Sequence, residues 1–315
     1  MTRRLIWLRN QPWIWSFAGA FLIWVFIMSF RGQGAGATLT MTLDFSVFFV
    51  IVGIGQMFVI TLGPGNIDLS IPSTMALGGA VAMKVMNDMG ANIPIALLYT
   101  VLIGVAIGIF NFGLIRFLSI PPIIATLASN LIVMSAAISY GRGLMIKPPE
   151  IFSDFTMANV FGFPIMALVV IIFAVFMGII LSRTNYGRSV TAIGQNTRAA
   201  RLAGIKVNRV RLITYTMSAV LASLAGALLS GFSGGSSLDL GGEYLLNSIA
   251  VVVLGGTSIL GGKSNIPGIW GASMFLYLLV AMMNTLGVSM GLRLVLTGAC
   301  IIAVIVIGSG GGNEH

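Results

Sequence analysis

Apolar residues in this chain fall in long runs separated by short polar stretches. A helix that crosses a bilayer needs about 20 mainly apolar residues. On that measure the candidates are Ile14–Phe30, Ser46–Leu62, Ile71–Val85, Ile93–Leu114, Ile120–Tyr140, Pro164–Leu181, Leu212–Ser230, Tyr244–Leu260, Ile266–Leu286 and Leu292–Ile307. The pattern predicts an all-α membrane protein, a polytopic bundle of about ten transmembrane helices with residues 1–315 as one domain. Ile71–Val85 is short, and glycines interrupt the pattern around Gly255–Gly262.

One polar segment breaks the rhythm. Leu181–Leu212 carries Arg183, Arg188, Arg198, Arg201, Lys206, Arg209 and Arg211 and no acid. Short loops rich in Lys and Arg stay on the cytoplasmic side. With ten spans and both termini inside, that loop, Arg3, Arg4, Arg9, Arg116 and Lys263 are cytoplasmic. Arg31, Lys84, Arg142, Lys147 and Arg293 then lie outside, and Asp44, Asp88, Glu150, Asp154, Asp239 and Glu243 fall outside or near the outer face. The N-terminal MTRRLIWLRNQPW leads into apolar sequence without a small-residue cleavage site, which predicts a retained first helix. Two outer segments, Arg31–Phe45 and Gly141–Phe163, are longer than a turn. They read as connectors or as docking surfaces for an external partner.

Composition agrees with the membrane assignment. The chain is 57% hydrophobic and 8% charged, with a mean hydropathy of +1.02, whereas a soluble domain carries roughly 25% charged residues. The net charge of +9 does not indicate a nucleic-acid partner, because the basic residues sit in short loops between apolar runs. A single cysteine, Cys300, rules out an internal disulfide, and the single histidine, His315, is the last residue. No metal site, resident cofactor or histidine-based catalysis is expected.

Three motifs carry candidate chemistry. Leu260–Asn265, LGGKSN, has the look of a phosphate loop, but G-x-x-x-x-G-K-S/T would need glycine where Thr257 stands. Lys263 is read instead as a short cytoplasmic anchor. In Leu62–Pro72, LGPGNIDLSIP, the residues Gly63, Pro64 and Gly65 break a helix, and Asp68 or Ser70 can cap the next one. A carboxylate near or within a membrane is a functional-site candidate. Asp68, with Asn66 and Ser70, therefore either caps a helix at the membrane surface or lines a pathway through a broken helix. Val251–Gly262, VVVLGGTSILGG, echoes this break. Within the basic loop, Asn196 or Thr197 can cap a short helix, Thr197–Ala203, that Gly204 ends. Its Ala199, Ala200 and Ala203 leave a smooth surface fit for a groove, bordered by Arg198 and Arg201. Anionic membrane lipid is the plainer partner for such a loop.

Together these stretches resemble the bacterial ABC importer permeases of the ribose/monosaccharide class. The loop resembles that family's cytoplasmic coupling loop at Tyr186, Gly187, Arg188, Ala192, Gly194, Asn196, Ala199, Ala200, Ala203, Gly204, Ile205 and Val207. Gly65, Ile67, Asp68, Leu69 and Ser70 resemble its GGIDLS signature, with Asn66 inserted after Gly65. PPIIATLAS at Pro121–Ser129 and the glycine-rich Val251–Gly262 stretch resemble two more. The resemblance implies an inner-membrane, multi-pass permease with a cytoplasmic coupling helix and no ATPase motif of its own. The implied partners are a cytoplasmic ATP-binding subunit that uses the ATP, a periplasmic substrate-binding protein, and a second permease copy or related permease chain. Gly194, Asn196, Arg198, Ala199, Ala200, Ala203 and Gly204 are the expected coupling residues. Asn66, Asp68, Ser70, Asn130 and Asn247 are the pathway candidates. An ion-coupled secondary transporter of a small polar solute is the alternative, and it would need ionisable groups deep in the spans; apart from Asp68 the helix centres lack them.

Overall fold

A computed structural model describes residues 12–31, 34–90, 92–141 and 146–310. Arg3, Arg4, Arg9, Arg142, Glu314 and His315 lie outside the described residues. The helices, in chain order, are α1 (Pro12–Arg31), α2 (Ala35–Thr61), α3 (Ile71–Asp88), α4 (Ile93–Phe117), α5 (Pro122–Gly141), α6 (Glu150–Met157), α7 (Ile165–Arg183), α8 (Asn185–Gln195), α9 (Thr197–Leu202), α10 (Val207–Phe232), α11 (Tyr244–Leu254), α12 (Ile266–Thr285) and α13 (Met290–Gly310). A two-residue hairpin, β1 (Asn159–Val160) with β2 (Phe163–Pro164), is the only sheet among the described residues.

Seven of these helices, α1, α2, α4, α5, α7, α10 and α12, are long and apolar enough to cross a membrane. The expected count of about ten is not reached on that criterion. Helix α11 has 11 residues, about 17 Å against a hydrocarbon core of about 30 Å, because Gly255 ends it where the sequence pattern ran on to Leu260. Met290–Cys300 of α13 is likewise a shorter apolar helix. Helix α3 has a more polar face, yet it is almost wholly enclosed, from Ile71 through Met86. The Arg31–Phe45 stretch is corrected as well: α2 starts at Ala35, so most of this stretch is helix. Its threonines turn their hydroxyls back onto the helix, Thr40 Oγ1 donating to Gly36 O at 3.0 Å and Thr42 Oγ1 to Thr38 O at 2.7 Å.

Helix α2 forms the centre, with 83% of its most apolar window buried against 28% for α4, α5 and α7. Phe48, Ile54, Met57, Phe58 and Ile60 are its inward side chains. Helix α10 packs against α2, α3 and α4, while α11 and α12 pack on the other flank of α2 and α1 lies along α12. Apolar burial alone does not drive helices together in lipid, so close packing has to. Gly104 and Gly108 of α4, spaced as GxxxG, let its backbone approach Val220 and Thr216 of α10. Helix α6 folds back onto the end of α10, where Phe152 lies against Gly231 and Ser153 Oγ donates to Gly231 O at 3.4 Å.

Candidate functional site

The helix break after α2 is the best-organised polar region of the described structure. Leu62–Ser70 leaves the helix at Gly63 and Gly65, both with positive φ, and re-enters helix at Ile71. Asp68 is 1% exposed and Ser70 fully buried. Ser70 N and Ser70 Oγ donate to Asp68 Oδ1 at 3.0 and 2.6 Å, and Ser218 Oγ of α10 donates to Oδ2 at 2.8 Å. Asn111 of α4 donates to Ser70 Oγ at 2.8 Å. Asp68 N donates to Gln56 Oε1 of α2 at 3.2 Å. Neither Asp68 nor Ser70 makes a side-chain cap on α3; the Ser70 hydroxyl is spent on the carboxylate instead. One short segment is therefore tied to α2, α4 and α10 at once.

Asn66 extends the knot. Its Oδ1 accepts from Tyr215 Oη at 3.2 Å, and its Nδ2 donates to Gly63 O at 3.1 Å. The PPIIATLAS segment closes it from the other side. Thr126 Oγ1 accepts from Leu69 N at 3.0 Å and has Pro122 O and Ile67 O, at 2.9 and 3.0 Å, as acceptors for its one hydrogen, while Asn130 Oδ1 accepts from Ser73 N at 3.3 Å. Asp68 and Ser70 thus share one network, which Asn130 joins through Ser73, whose hydroxyl donates to Ser70 O at 3.0 Å, while Asn66 is bonded beside it to Gly63 and Tyr215. Asn247 is not part of it. It is half-buried on α11, lining a separate cavity of about 170 Å³ with Phe45, Phe49, Glu243, Tyr244 and Tyr277. Gln56, Asn111, Tyr215 and Ser218 are the partners that the motifs alone did not single out. The usable signal was present, since Gln56 and Asn111 are isolated polar residues within apolar runs. Gln56 Nε2 and Asn111 Oδ1 remain buried without a partner at the margin of the knot.

The basic loop folds as two short helices. Thr184 caps α8, its side chain accepting from Gly187 N at 3.1 Å. Tyr186 stacks on Phe58 at 6.0 Å and meets Thr214 Oγ1 at 2.8 Å. Because the Thr214 hydroxyl donates to Val210 O, Tyr186 is the donor. Burial pushes the Tyr186 phenol up from its ordinary value of 10.0 to about 12.

Helix α9 is closed at both ends. The Asn196 side chain accepts from Ala199 N at 2.9 Å. At the other end Gly204 N donates to Arg201 O and Ile205 N to Ala200 O, both at 3.1 Å. This is a Schellman closure, and it needs a residue with left-handed φ; Gly204 supplies +84°. The helix ends at Leu202, a residue before the expected Ala203, which is its cap. Ala200 is corrected as an outward residue: it is 4% exposed and packs into the core. Arg198, Ala199, Arg201, Leu202 and Ala203 are exposed, with Leu202 83% exposed.

Gly194, at the end of α8, joins this loop to both helix breaks. A Cβ there would run into Thr61 O and Gly262 N. Gly262 N itself donates to Thr61 O at 3.0 Å, and Gly261 sits against the backbone of Gly63. The two echoing breaks, after α2 and after α11, are thus pressed backbone to backbone, with the end of the loop wedged at their junction. The second break is held at its far side by Asn265, which accepts from Gly268 N at 3.3 Å to cap α12. Among the described residues no three His, Cys, Asp or Glu side chains stand together as a metal site.

Glycine-broken segments enclosed in a bundle of apolar helices are an arrangement that membrane transporters use. The chain belongs to the family of permease components described as branched-chain amino acid transport system permeases, which matches residues 38–305. It is 30% identical over 308 residues to the autoinducer 2 import system permease protein LsrD of Salmonella paratyphi A, covering 94% of this chain and 92% of that protein. It is 31% identical over 304 residues to the LsrD protein of Escherichia coli O9:H4, covering 93% and 91%. No solved structure matches it significantly.

Proposed function

We propose that this chain is the membrane-spanning permease subunit of an ATP-driven, binding-protein-dependent importer of a small sugar-like solute, the class to which the substrate named for its relatives belongs. The observation that carries this reading is the end-to-end likeness to import-system permeases. The ion-coupled alternative has no comparable support. In this reading the chain acts as a single transmembrane permease domain in the bacterial inner membrane, with α3, α13 and, together with the non-helical Gly255–Gly262 segment that follows it, α11 completing about ten crossings and both termini in the cytoplasm. It pairs with a second permease copy or related chain, receives solute from a periplasmic substrate-binding protein, and needs no cofactor of its own because a cytoplasmic ATP-binding subunit uses the ATP.

Helix α9 is the coupling helix. Its Arg198, Ala199, Leu202 and Ala203 face docks on the ATP-binding subunit, while Asn196 and Gly204 hold the helix rigid and Ala200 anchors it to the core. Movement of the partner pulls α9 and α8, and Gly194 passes the displacement to Thr61 and Gly262. The ends of α2 and α11 and the start of α12 then shift together. The knot of Asn66, Asp68, Ser70 and Asn130 keeps the first break rigid, so it moves as a unit and gates the pathway, with Asn247 lining a cavity along it. Each ATP state biases one arrangement only by the difference in its contacts with the two. The test is co-purification with the ATP-binding subunit. Leu202→Glu places a charge on an exposed position, where folding stability changes by less than about 0.5 kcal/mol. Association should be lost while the melting temperature holds; undiminished association would refute the docking face.

A further inference from the structure

A cavity of about 510 Å³ opens between the end of α4 and the start of α10. Four cations line it, Arg116, Arg201, Lys206 and Arg209, together with Ile205, Val207 and Asn208, and no acid does. Arg211 adds a fifth positive charge within electrostatic reach of Arg201, and its Nε is buried without a hydrogen-bond partner. The surrounding chain offers no internal counter-ion, since no Asp or Glu occurs between Asp88 and Glu150 or between Asp154 and Asp239. Like charges gathered round one concavity repel, and an anion seated among them removes that cost. Helix α10 also begins on this wall, with neither a side-chain cap nor an acid in its first turn; Val207 N is taken by Ile205 O, which leaves the N–H groups of Asn208 and Arg209 as further donors for the same anion.

The surroundings decide which anion. Arg116 is followed directly by Phe117 and Leu118, which are 81% and 61% exposed. Helix α4 is a candidate span with only 28% of its most apolar window buried, so this chain leaves most of its length uncovered. Large exposed apolar side chains beside a basic hollow, at the end of a helix long and apolar enough to cross a membrane, mark the headgroup level of a bilayer. A free phosphate ion would use the cations and leave the apolar lip idle, whereas a phospholipid uses both.

The geometry points to a binding site for the phosphodiester headgroup of an anionic phospholipid, held by Arg116, Arg201, Lys206 and Arg209. The bound lipid ties the end of α4 to the segment just beyond α9, bracing the base of the element that the partner would pull. The site does not depend on the import reading; only its assignment to the cytoplasmic leaflet does.

The full chain, purified in detergent and offered equal amounts of phosphatidylglycerol and phosphatidylcholine, is read by native mass spectrometry. Wild type should retain phosphatidylglycerol preferentially. Arg116→Gln with Arg209→Gln should reduce that preference by roughly 5-fold per charge removed, and Arg116→Lys with Arg209→Lys should keep most of it. Melting temperatures check that each variant is folded. No preference in wild type, or an unchanged preference in the folded Gln pair, overturns the proposal. Displacement of the lipid by millimolar inorganic phosphate overturns it in favour of a free-phosphate site. Loss of co-purification with the ATP-binding subunit in the Gln pair, with lipid preference intact, overturns it in favour of pairing with that subunit's acids.

Discussion

Replacing Gly194 with alanine perturbs the joint between the basic loop and the two helix breaks by one methyl group. The added Cβ would overlap Thr61 O and Gly262 N and lie 3.0 Å from Gly262 Cα. All three atoms are backbone, so no side chain can swing aside to relieve the overlap. Overpacking of this kind costs about 1–3 kcal/mol. The Gly262 N–H···O Thr61 bond at 3.0 Å occupies the same spot, and its loss adds about 1 kcal/mol. A penalty of roughly 2–4 kcal/mol shifts the population of the joined arrangement by about 30- to 700-fold. The assay is solute uptake by proteoliposomes holding the complete transporter, alongside ATP hydrolysis and co-purification. Gly194→Ala should keep the ATP-binding subunit, whose docking face it does not touch, yet lose uptake and substrate-stimulated hydrolysis. Gly178→Ala is the matched control, because there the nearest foreign atom is Ile266 Cδ1 at 3.9 Å; it should transport normally. Gly194→Ala transporting at the wild-type rate with an unchanged melting temperature would show that the junction does not carry the coupling.

Asp68→Ala strands the donors Ser70 N and Ser218 Oγ in a buried site, at about 1–3 kcal/mol for each group left unpaired. It should lower the melting temperature more than Ser218→Ala, which removes one bond only; equal effects would mean that the knot is not centred on the carboxylate. Tyr186→Phe deletes the bond to Thr214 and should cost about 1 kcal/mol. The pH dependence tests the same residue. A phenol raised by burial from 10.0 to about 12 adds stability that is complete below pH 10 and is lost as pH rises from 10 towards 12, on the order of 2–3 kcal/mol. The melting temperature of wild type should therefore fall more steeply across that window than that of Tyr186→Phe, and parallel curves would contradict the burial of Tyr186.

Much of this arrangement was legible in the linear pattern. Each apolar run contains a helix, the glycine pairs mark both breaks, and Asn196 and Gly204 bound α9 as capping chemistry requires. The remainder depends on contacts between distant residues. Nothing local to Gly194 says that it abuts Thr61 and Gly262, because the three lie far apart along the chain and meet only when α2 and α11 end at the same level. Ala200 was read as outward from composition, whereas the turn set by Asn196 and Gly204 rotates it into the core. The Thr-rich start of α2 reads as loop because threonine favours turns, yet hydroxyl-to-carbonyl bonds let it continue the helix. Asp68 was identifiable as a buried-charge candidate. That its oxygens would be taken by Ser70 and Ser218 was not, since Ser218 lies on a helix far along the chain.

The central claim is that ATP energy, used by a partner, drives solute inward through this chain. Its most direct test is uptake of a small sugar-like solute into proteoliposomes containing this chain, its permease partner, the ATP-binding subunit and the substrate-binding protein, with ion gradients collapsed. The account predicts uptake that requires ATP on the side of the basic loop and stops when the ATP-binding subunit is omitted. Uptake that persists without ATP or that subunit, and follows an imposed proton or sodium gradient, would contradict it.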